Sequence, residues 1–483
     1  MGSVAAYVRR PFARVRTARR FLTLRPFDQS TPEGRSLERY RRSLLTTAAM
    51  GAARGLSLLT GLISIPLSLG YLGAERYGLW VLIASFAMFL AFADLGLGNG
   101  LVNAISEAHG RDDTVAAREY VSSAFGVLVV FAAVLGTAFA LVYTWIPWDE
   151  IFNVAGTPAA DKAGPALAIL VACVVCGIPL ALTERIQFGY QEGYISAAWA
   201  IGGNILSLSA VVLATALRAD VPWLVLAMFG GPVIGLAGNA IFVFGWRRAW
   251  LRPRLAMATK NATRRLFKLG ILFLIIQLAI PVALASDSII VDRLLGPAAV
   301  TEYAVPLRLF TIVPVIVLLA FGPLWPAYSE ALARGDREWV RRTVWRSVGA
   351  SVAITACASV TLLAVGPGVV HAWSRGAVEP SMWLLSGFAV WAVITAPAQV
   401  FSMLLNGANA IRFQAVTMSL MATAGLIVKV ALTKAVGLPG TIWGAVLAYV
   451  ALIVVPYAWY GRRLLASLKA EDEQSAVPLS AIG

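Results

Sequence analysis

Five ionisable residues of this 483-residue chain stand inside long apolar runs: Arg54, Asp94, Asp287, Arg308 and Lys429. A charge at the centre of a membrane helix costs at least about 2.5–3.5 kcal/mol on insertion scales, so it faces a cavity, a partner or a headgroup. Arg54 falls eleven residues into its run, roughly 16 Å deep at 1.5 Å per residue. It is flanked by Gly51 and Gly55, a G-x-x-x-G that lets another backbone approach. Two roles suit it: an anion ligand facing a cavity, or an ion-pair partner, with Asp94 as the candidate. Asp94 lies in Phe92-Ala93-Asp94-Leu95-Gly96-Leu97-Gly98-Asn99-Gly100 and suits either proton or cation coupling or a buried salt bridge. The glycines around it are no nucleotide fingerprint, because no strand precedes them; they suit close helix packing and a bend. Arg308 enters its run near one end and either snorkels or points inward. Asp287 is a second coupling candidate, deeper than the neighbouring Asp292-Arg293. Lys429, near an outer helix end, is expected to snorkel. Glu184-Arg185 is either a gate pair or a span boundary.

Soluble-style chemistry has little to work with. Only two histidines occur, His109 and His371, and there is no phosphate loop or nucleophile motif, so neither an enzyme nor a bound cofactor or metal is expected. Cys173-x-x-Cys176 lies in an apolar run with no further ligand nearby. A redox or zinc pair needs access or further ligands, so both cysteines, like Cys357, are expected to pack between helices.

The elements that must position these residues follow from composition. Hydrophobic residues make up 59% of the chain and charged ones 13%, with a formal net charge of +15. Soluble domains carry about 25% charged residues, which excludes a cytosolic enzyme, a disordered chain and a secreted disulfide scaffold. Twelve stretches are long and apolar enough to cross a bilayer: 43–70, 77–100, 119–146, 165–186, 194–217, 222–246, 267–292, 302–327, 343–365, 383–406, 414–434 and 440–460. The second is expected to continue as one helix from Tyr77 to His109. Loop charges set orientation. Eleven arginines precede the first span, and further clusters stand at Arg247–Lys268 and Arg334–Arg346, whereas the alternate loops hold only Arg76, Lys162, Arg218, Arg293, Arg375 and Lys434. Both termini are therefore expected in the cytoplasm. The basic surplus reports topology and contact with anionic headgroups, not nucleic acid.

The chain also repeats itself. Ser106-Glu107-Ala108-x-x-Arg111-x-Asp113 recurs as Ser329-Glu330-Ala331-x-x-Arg334-x-Asp336, and Leu72-Gly73 and Leu295-Gly296 precede the two copies at the same spacing. Two six-helix repeats inserted in the same orientation are expected. The register pairs Gln277 with Arg54. The layout is a basic arm over 1–42, an N-terminal lobe over 43–246, a basic linker over 247–266, a C-terminal lobe over 267–465 and a cytoplasmic tail over 466–483.

Leu72-Gly73-Ala74-Glu75-Arg76-Tyr77-Gly78-Leu79-Trp80, followed by the Phe92–Asn103 stretch, resembles bacterial polysaccharide-repeat flippases of the O-antigen translocase type. These belong to the multidrug/oligosaccharidyl-lipid/polysaccharide exporter superfamily. The resemblance is strongest over 43–120. It implies an all-α polytopic membrane protein, with twelve transmembrane helices in two parallel six-helix repeats around a central cavity. It further implies alternating access in the bacterial cytoplasmic membrane, with a short oligosaccharide on a polyprenyl diphosphate as cargo. Arg54, Arg308 and Gln277 are the substrate-binding positions so implied, since the planar guanidinium fork pairs two phosphate oxygens at once. Asp94 and Asp287 are the implied ion-coupling positions. Polysaccharide polymerase machinery is a candidate partner. A drug/cation antiporter of the same superfamily is the alternative, and a membrane glycosyltransferase or polymerase a more distant one.

Overall fold

The computed structural model describes residues 23, 25–90, 94–373, 376 and 378–476, and all regular structure among them is helical. That is the fold class the apolar runs predict, since a helix satisfies its own backbone where no water can. The helices are α1 Pro32–Leu90, α2 Leu97–Gly110, α3 Thr114–Tyr143, α4 Trp148–Ile151, α5 Ala160–Leu180, α6 Leu182–Gly189, α7 Gly193–Ala216, α8 Val221–Phe242, α9 Lys260–Leu295, α10 Pro297–Phe310, α11 Ile312–Phe321, α12 Leu324–Ala333, α13 Arg337–Trp373, α14 Met382–Gly407, α15 Ile411–Val436, α16 Pro439–Tyr449 and α17 Val455–Ala476. Among the described residues, nine helical stretches are long and apolar enough to cross a membrane. They coincide with the third to sixth and eighth to twelfth expected spans. The seventh is α9, and the first two are the legs of α1.

The α1 run cannot be straight. Arg42 donates to the carbonyl of Tyr190 at 3.1 Å, and Asp94, just past the end of α1, meets Arg185 at 3.4 Å. A straight helix would part residues 42 and 94 by about 78 Å, yet their partners lie five positions apart. Arg76 meanwhile reaches Asp220 at 3.6 Å, at the far end of α7 from Tyr190. The run therefore crosses, doubles back and crosses again. Gly73 falls between the two legs in sequence, where a residue of low helix propensity belongs.

One expectation fails on the return leg. The continuous Tyr77–His109 helix is interrupted: residues 91–93 lie outside the described residues, and Leu95 and Gly96 take left-handed backbone (φ 51° and 72°) before α2 begins. An α-helix cannot continue through two successive left-handed residues.

The chain divides into two compact units, the first up to Ile271 and the second from Leu272. In the first, Leu72, Leu79, Trp80 and Ile83 pack with Phe152, Leu170 and Leu224 toward one end. Leu101, Ile105, Val121, Leu182 and Ile186 form a core toward the other. α7 and α8 touch backbone to backbone, because a Cβ on Gly231 would lie 2.6 Å from the Gly203 carbonyl oxygen and 2.6 Å from the Ser207 nitrogen. In the second unit Tyr303, Phe310, Leu384 and Phe388 make one core. Large apolar side chains elsewhere face outward, as lipid-facing helices require, and Trp145, Trp223, Trp246 and Trp345 are exposed near helix ends.

The internal repeat is visible as matched corners. α2 closes on left-handed Asp112, with the Asp113 N–H on the Ala108 carbonyl at 2.9 Å. α12 closes on left-handed Gly335, with the Asp336 N–H on the Ala331 carbonyl at 2.8 Å. Both are helix stops of the type that satisfies the last free carbonyls. Both carry the same ion pair one turn back, Arg111–Glu107 and Arg334–Glu330. A second pair of corners turns at Gln191 and Asn409 (φ 58° and 56°). There Gly189 lies against Ile105 in α2 and Gly407 against Tyr328 and Ser329 in α12, the same contact in both units.

Candidate functional site

Arg54 projects from the first leg of α1, exposed, with no hydrogen-bond or ion-pair partner among the described residues. It does not pair with Asp94. The break after α1 determines what Asp94 does instead: its carboxylate accepts the Gly96 N–H at 2.9 Å, and its carbonyl accepts the Leu97 N–H at 2.9 Å. The other carboxylate oxygen faces Arg185 of α6 at 3.4 Å, and Arg185 also donates to Asn99 at 3.0 Å. Gly98 is what admits the pair, since a Cβ there would stand 2.7 Å from Asp94 Oδ2 and 2.8 Å from Arg185 Nε. The pair borders a pocket of about 230 Å³ lined also by Gly177, Ala181, Glu184 and Leu236. Of the two roles open to Asp94 in the sequence, the salt bridge is present, and it borders a cavity large enough for a small ion with water. Nearby, Gln187 and Asn239 are buried and exchange amide hydrogen bonds at 2.8 and 2.9 Å, with Thr183 accepting from Asn239 at 3.4 Å. Hydropathy gives one signal of this knot, the single amide Asn239 in the apolar run 222–246.

In the second unit Arg308 is exposed on α10 and Gln277 half-buried on α9. Neither side chain has a hydrogen-bond partner among the described residues, and no bond joins them to Asp287. Asp287 is buried, accepting from the Tyr303 hydroxyl at 2.9 Å and pairing with Lys429 of α15. This corrects the expectation for Lys429. It is 3% exposed and, rather than snorkelling to a headgroup, reaches the Asp287 carboxylate. Opposite charges in one half were the available signal.

The basic arm also departs in part from expectation. Residues before Thr23 lie outside the described residues, so the arginines at positions 9 to 20 are not placed. Arg39 and Arg41, expected on lipid headgroups, are buried in protein. Arg41 and Arg42 grip Glu38, the Phe27 N–H donates to Glu38 at 3.0 Å, and Arg41 donates to the Thr23 carbonyl at 2.8 Å. Burial would raise the Glu38 carboxyl, but the hydrogen bonds from Arg41, Phe27 and Arg42 hold it below its ordinary value. Beside this latch, Arg247 and Arg248 pair with buried Glu192 at 3.0 and 3.1 Å, and Arg248 stacks 3.7 Å over the Tyr190 ring. Burial pushes that phenol up to about 12. Cys176 and Cys357 face outward rather than packing between helices, and Cys173 is half-buried. Arg375 and the end of the tail lie outside the described residues. No group of three or more metal-ligating side chains occurs among the described residues.

Set against known proteins, residues 44–332 match the family model described as polysaccharide biosynthesis protein. A putative O-antigen transporter of Salmonella typhi is 21% identical over 429 residues, covering 86% of this chain and 94% of that protein. Among solved structures, MATE in its bent conformation superposes with a TM-score of 0.77 at 15% identity, over 90% of this chain and 97% of that one. A MOP superfamily transporter from Pyrococcus furiosus, described by the reverse polarity of its binding pocket, gives 0.74 at 16% identity over 89% and 96%. At such identities these structures establish the shared fold.

Proposed function

The chain belongs to the polysaccharide biosynthesis protein family, and on that premise we propose that it is a flippase. Its cargo is an oligosaccharide repeat unit on a polyprenyl diphosphate, carried across the bacterial cytoplasmic membrane for surface polysaccharide assembly. At the coarser level the chain is an exporter-type transporter of the MOP superfamily, not an enzyme.

The observation that carries the finer reading is that Arg54 and Arg308 are both exposed, each within an apolar stretch of its helix and without a partner among the described residues. An arginine kept at membrane depth without a protein partner is costly, and a diphosphate is the ligand whose charge and forked geometry offset that cost. Gln277, at the repeat position of Arg54, adds a neutral donor for sugar or phosphate oxygens. Turnover in this proposal is alternating access coupled to an ion gradient, with Asp94 or Asp287 as the exchanging carboxylate and both termini cytoplasmic. Arg9 to Arg20 contact anionic headgroups, and polysaccharide polymerase machinery receives the product.

The test is a gene deletion read by lipid analysis of the inner leaflet. Accumulation of a polyprenyl-diphosphate-linked oligosaccharide is expected, and Arg54→Ala at matched expression should not clear it. Wild-type surface polysaccharide in the Arg54→Ala strain would refute the diphosphate role. The pocket lined by Asp94, Glu184 and Arg185 holds two carboxyl groups to one guanidinium, which favours one second reading, a drug/cation antiporter; drug sensitivity without lipid accumulation would select it.

A further inference from the structure

We infer that Lys429 is the resident counter-cation of Asp287, so that this carboxylate, one of the two candidates for ion exchange, is closed to sodium by an ammonium built into the chain. The inference rests on the flippase reading only for its consequence, that any sodium exchange falls to Asp94.

Asp287 on α9 and Lys429 on α15 are 4% and 3% exposed. The Lys429 ammonium faces Asp287 Oδ1, and it also donates to the Ser286 hydroxyl at 3.3 Å. Asp287 Oδ2 accepts from the Tyr303 hydroxyl of α10 at 2.9 Å. Both carboxylate oxygens thus have protein donors, and the charge is already neutralised. A sodium ion seated on either oxygen would stand beside the ammonium and be repelled by it. Removing a full positive charge from its partner in a buried site is strongly unfavourable, so the ammonium is not displaced by a competing ion.

The backbone holds the lysine in place. A Cβ on Gly444 of α16 would lie 2.7 Å from the Lys429 Cα, so α16 presses directly on the helix turn that carries Lys429. One turn on, the Thr433 hydroxyl donates to the Lys429 carbonyl at 2.7 Å and meets the Thr441 hydroxyl of α16 at 2.9 Å. The lysine stem therefore leaves a fixed point on a locked helix pair, and its length delivers the ammonium to Asp287. The first unit contrasts with this. Asp94 keeps a salt bridge to Arg185 whose side chains are 21% and 40% exposed, beside a pocket, an arrangement open to exchange.

The experiment is thermal melting of the purified full chain in sodium chloride or choline chloride at equal ionic strength. The wild type, Lys429→Met, Asp287→Asn and the double variant Lys429→Met/Asp287→Asn are compared. Lys429→Met leaves Asp287 buried without a counter-charge, so its melting midpoint should fall in choline and recover in sodium. The double variant should melt near the wild type with no sodium response at this site. Sodium stabilisation of the wild type that disappears in Asp287→Asn would overturn the inference. So would a Lys429→Met protein that melts as the wild type does in choline. Sodium stabilisation that survives Asp287→Asn arises elsewhere and supports it. No cargo is present in these measurements, so a failure of the flippase reading leaves their outcome unaffected.

Discussion

Replacing Gly231 with alanine tests the packing that holds the first unit together. The added Cβ would fall 2.6 Å from the Gly203 oxygen, 2.6 Å from the Ser207 nitrogen and 2.8 Å from the Ser207 Cα. All three are backbone atoms and cannot rotate away. Ordinary contact begins near 3.4 Å, so α7 and α8 must part locally by about 0.8 Å, which also strains the Ser207 hydroxyl bond to the Met228 carbonyl. Overpacking of this kind costs about 1–3 kcal/mol. Gly202 supplies the control, because it neighbours Gly203 in sequence yet has nothing within 4 Å of where an added Cβ would sit. Gly202→Ala should therefore gain roughly 0.5–1 kcal/mol from reduced backbone entropy in the unfolded chain. The two variants, purified in the same detergent and melted by tryptophan fluorescence, should bracket the wild type, with Gly231→Ala lowest. A Gly231→Ala protein melting at or above Gly202→Ala would refute the close approach of α7 and α8.

Further outcomes are expected elsewhere. Asp94→Asn removes a half-exposed pair worth at most about 1 kcal/mol; its melting should barely move while transport stops, and full transport at matched expression would exclude Asp94 from coupling. Glu38 has a folded carboxyl held below its ordinary value of 4.5. Its stabilisation is therefore complete above that value and lost as the pH falls through the lower folded one. Proteolysis of the segment before Pro32 should accelerate below about pH 4.5, and Glu38→Gln should be cut at one rate across that range. Gly407→Ala would set a Cβ 2.8 Å from the Tyr328 Cβ and 2.9 Å from the Ser329 nitrogen; a loss of about 1–3 kcal/mol is expected in melting, matched by Gly189→Ala in the first unit.

Much of this architecture is legible in the sequence because a bilayer imposes one length and one polarity on each crossing. The third to sixth and eighth to twelfth spans emerge where the apolar runs place them, and the matched Ser-Glu-Ala motifs locate corners that the structure repeats. What is not legible depends on pairing at a distance. Asp287 and Lys429 are 142 residues apart, and nothing local says that a lysine near a helix end turns inward. Asp94 has two arginines to choose from, and which one it takes is decided by the break at Leu95-Gly96 and by Gly98, not by hydropathy. That break was hidden for the same reason: apolar residues with glycines read as a bend until the left-handed φ values at 95 and 96 end the helix.

The matched corners bear on the history of the chain. Two left-handed turns, one ion pair and one glycine contact recur in each unit, while the charges within them do not: one unit joins Asp94 to Arg185, the other Asp287 to Lys429. A duplicated ancestor that kept its hinges and let its interior drift would leave this record. The turns are the inheritance, and the paired charges are where the two descendants diverged.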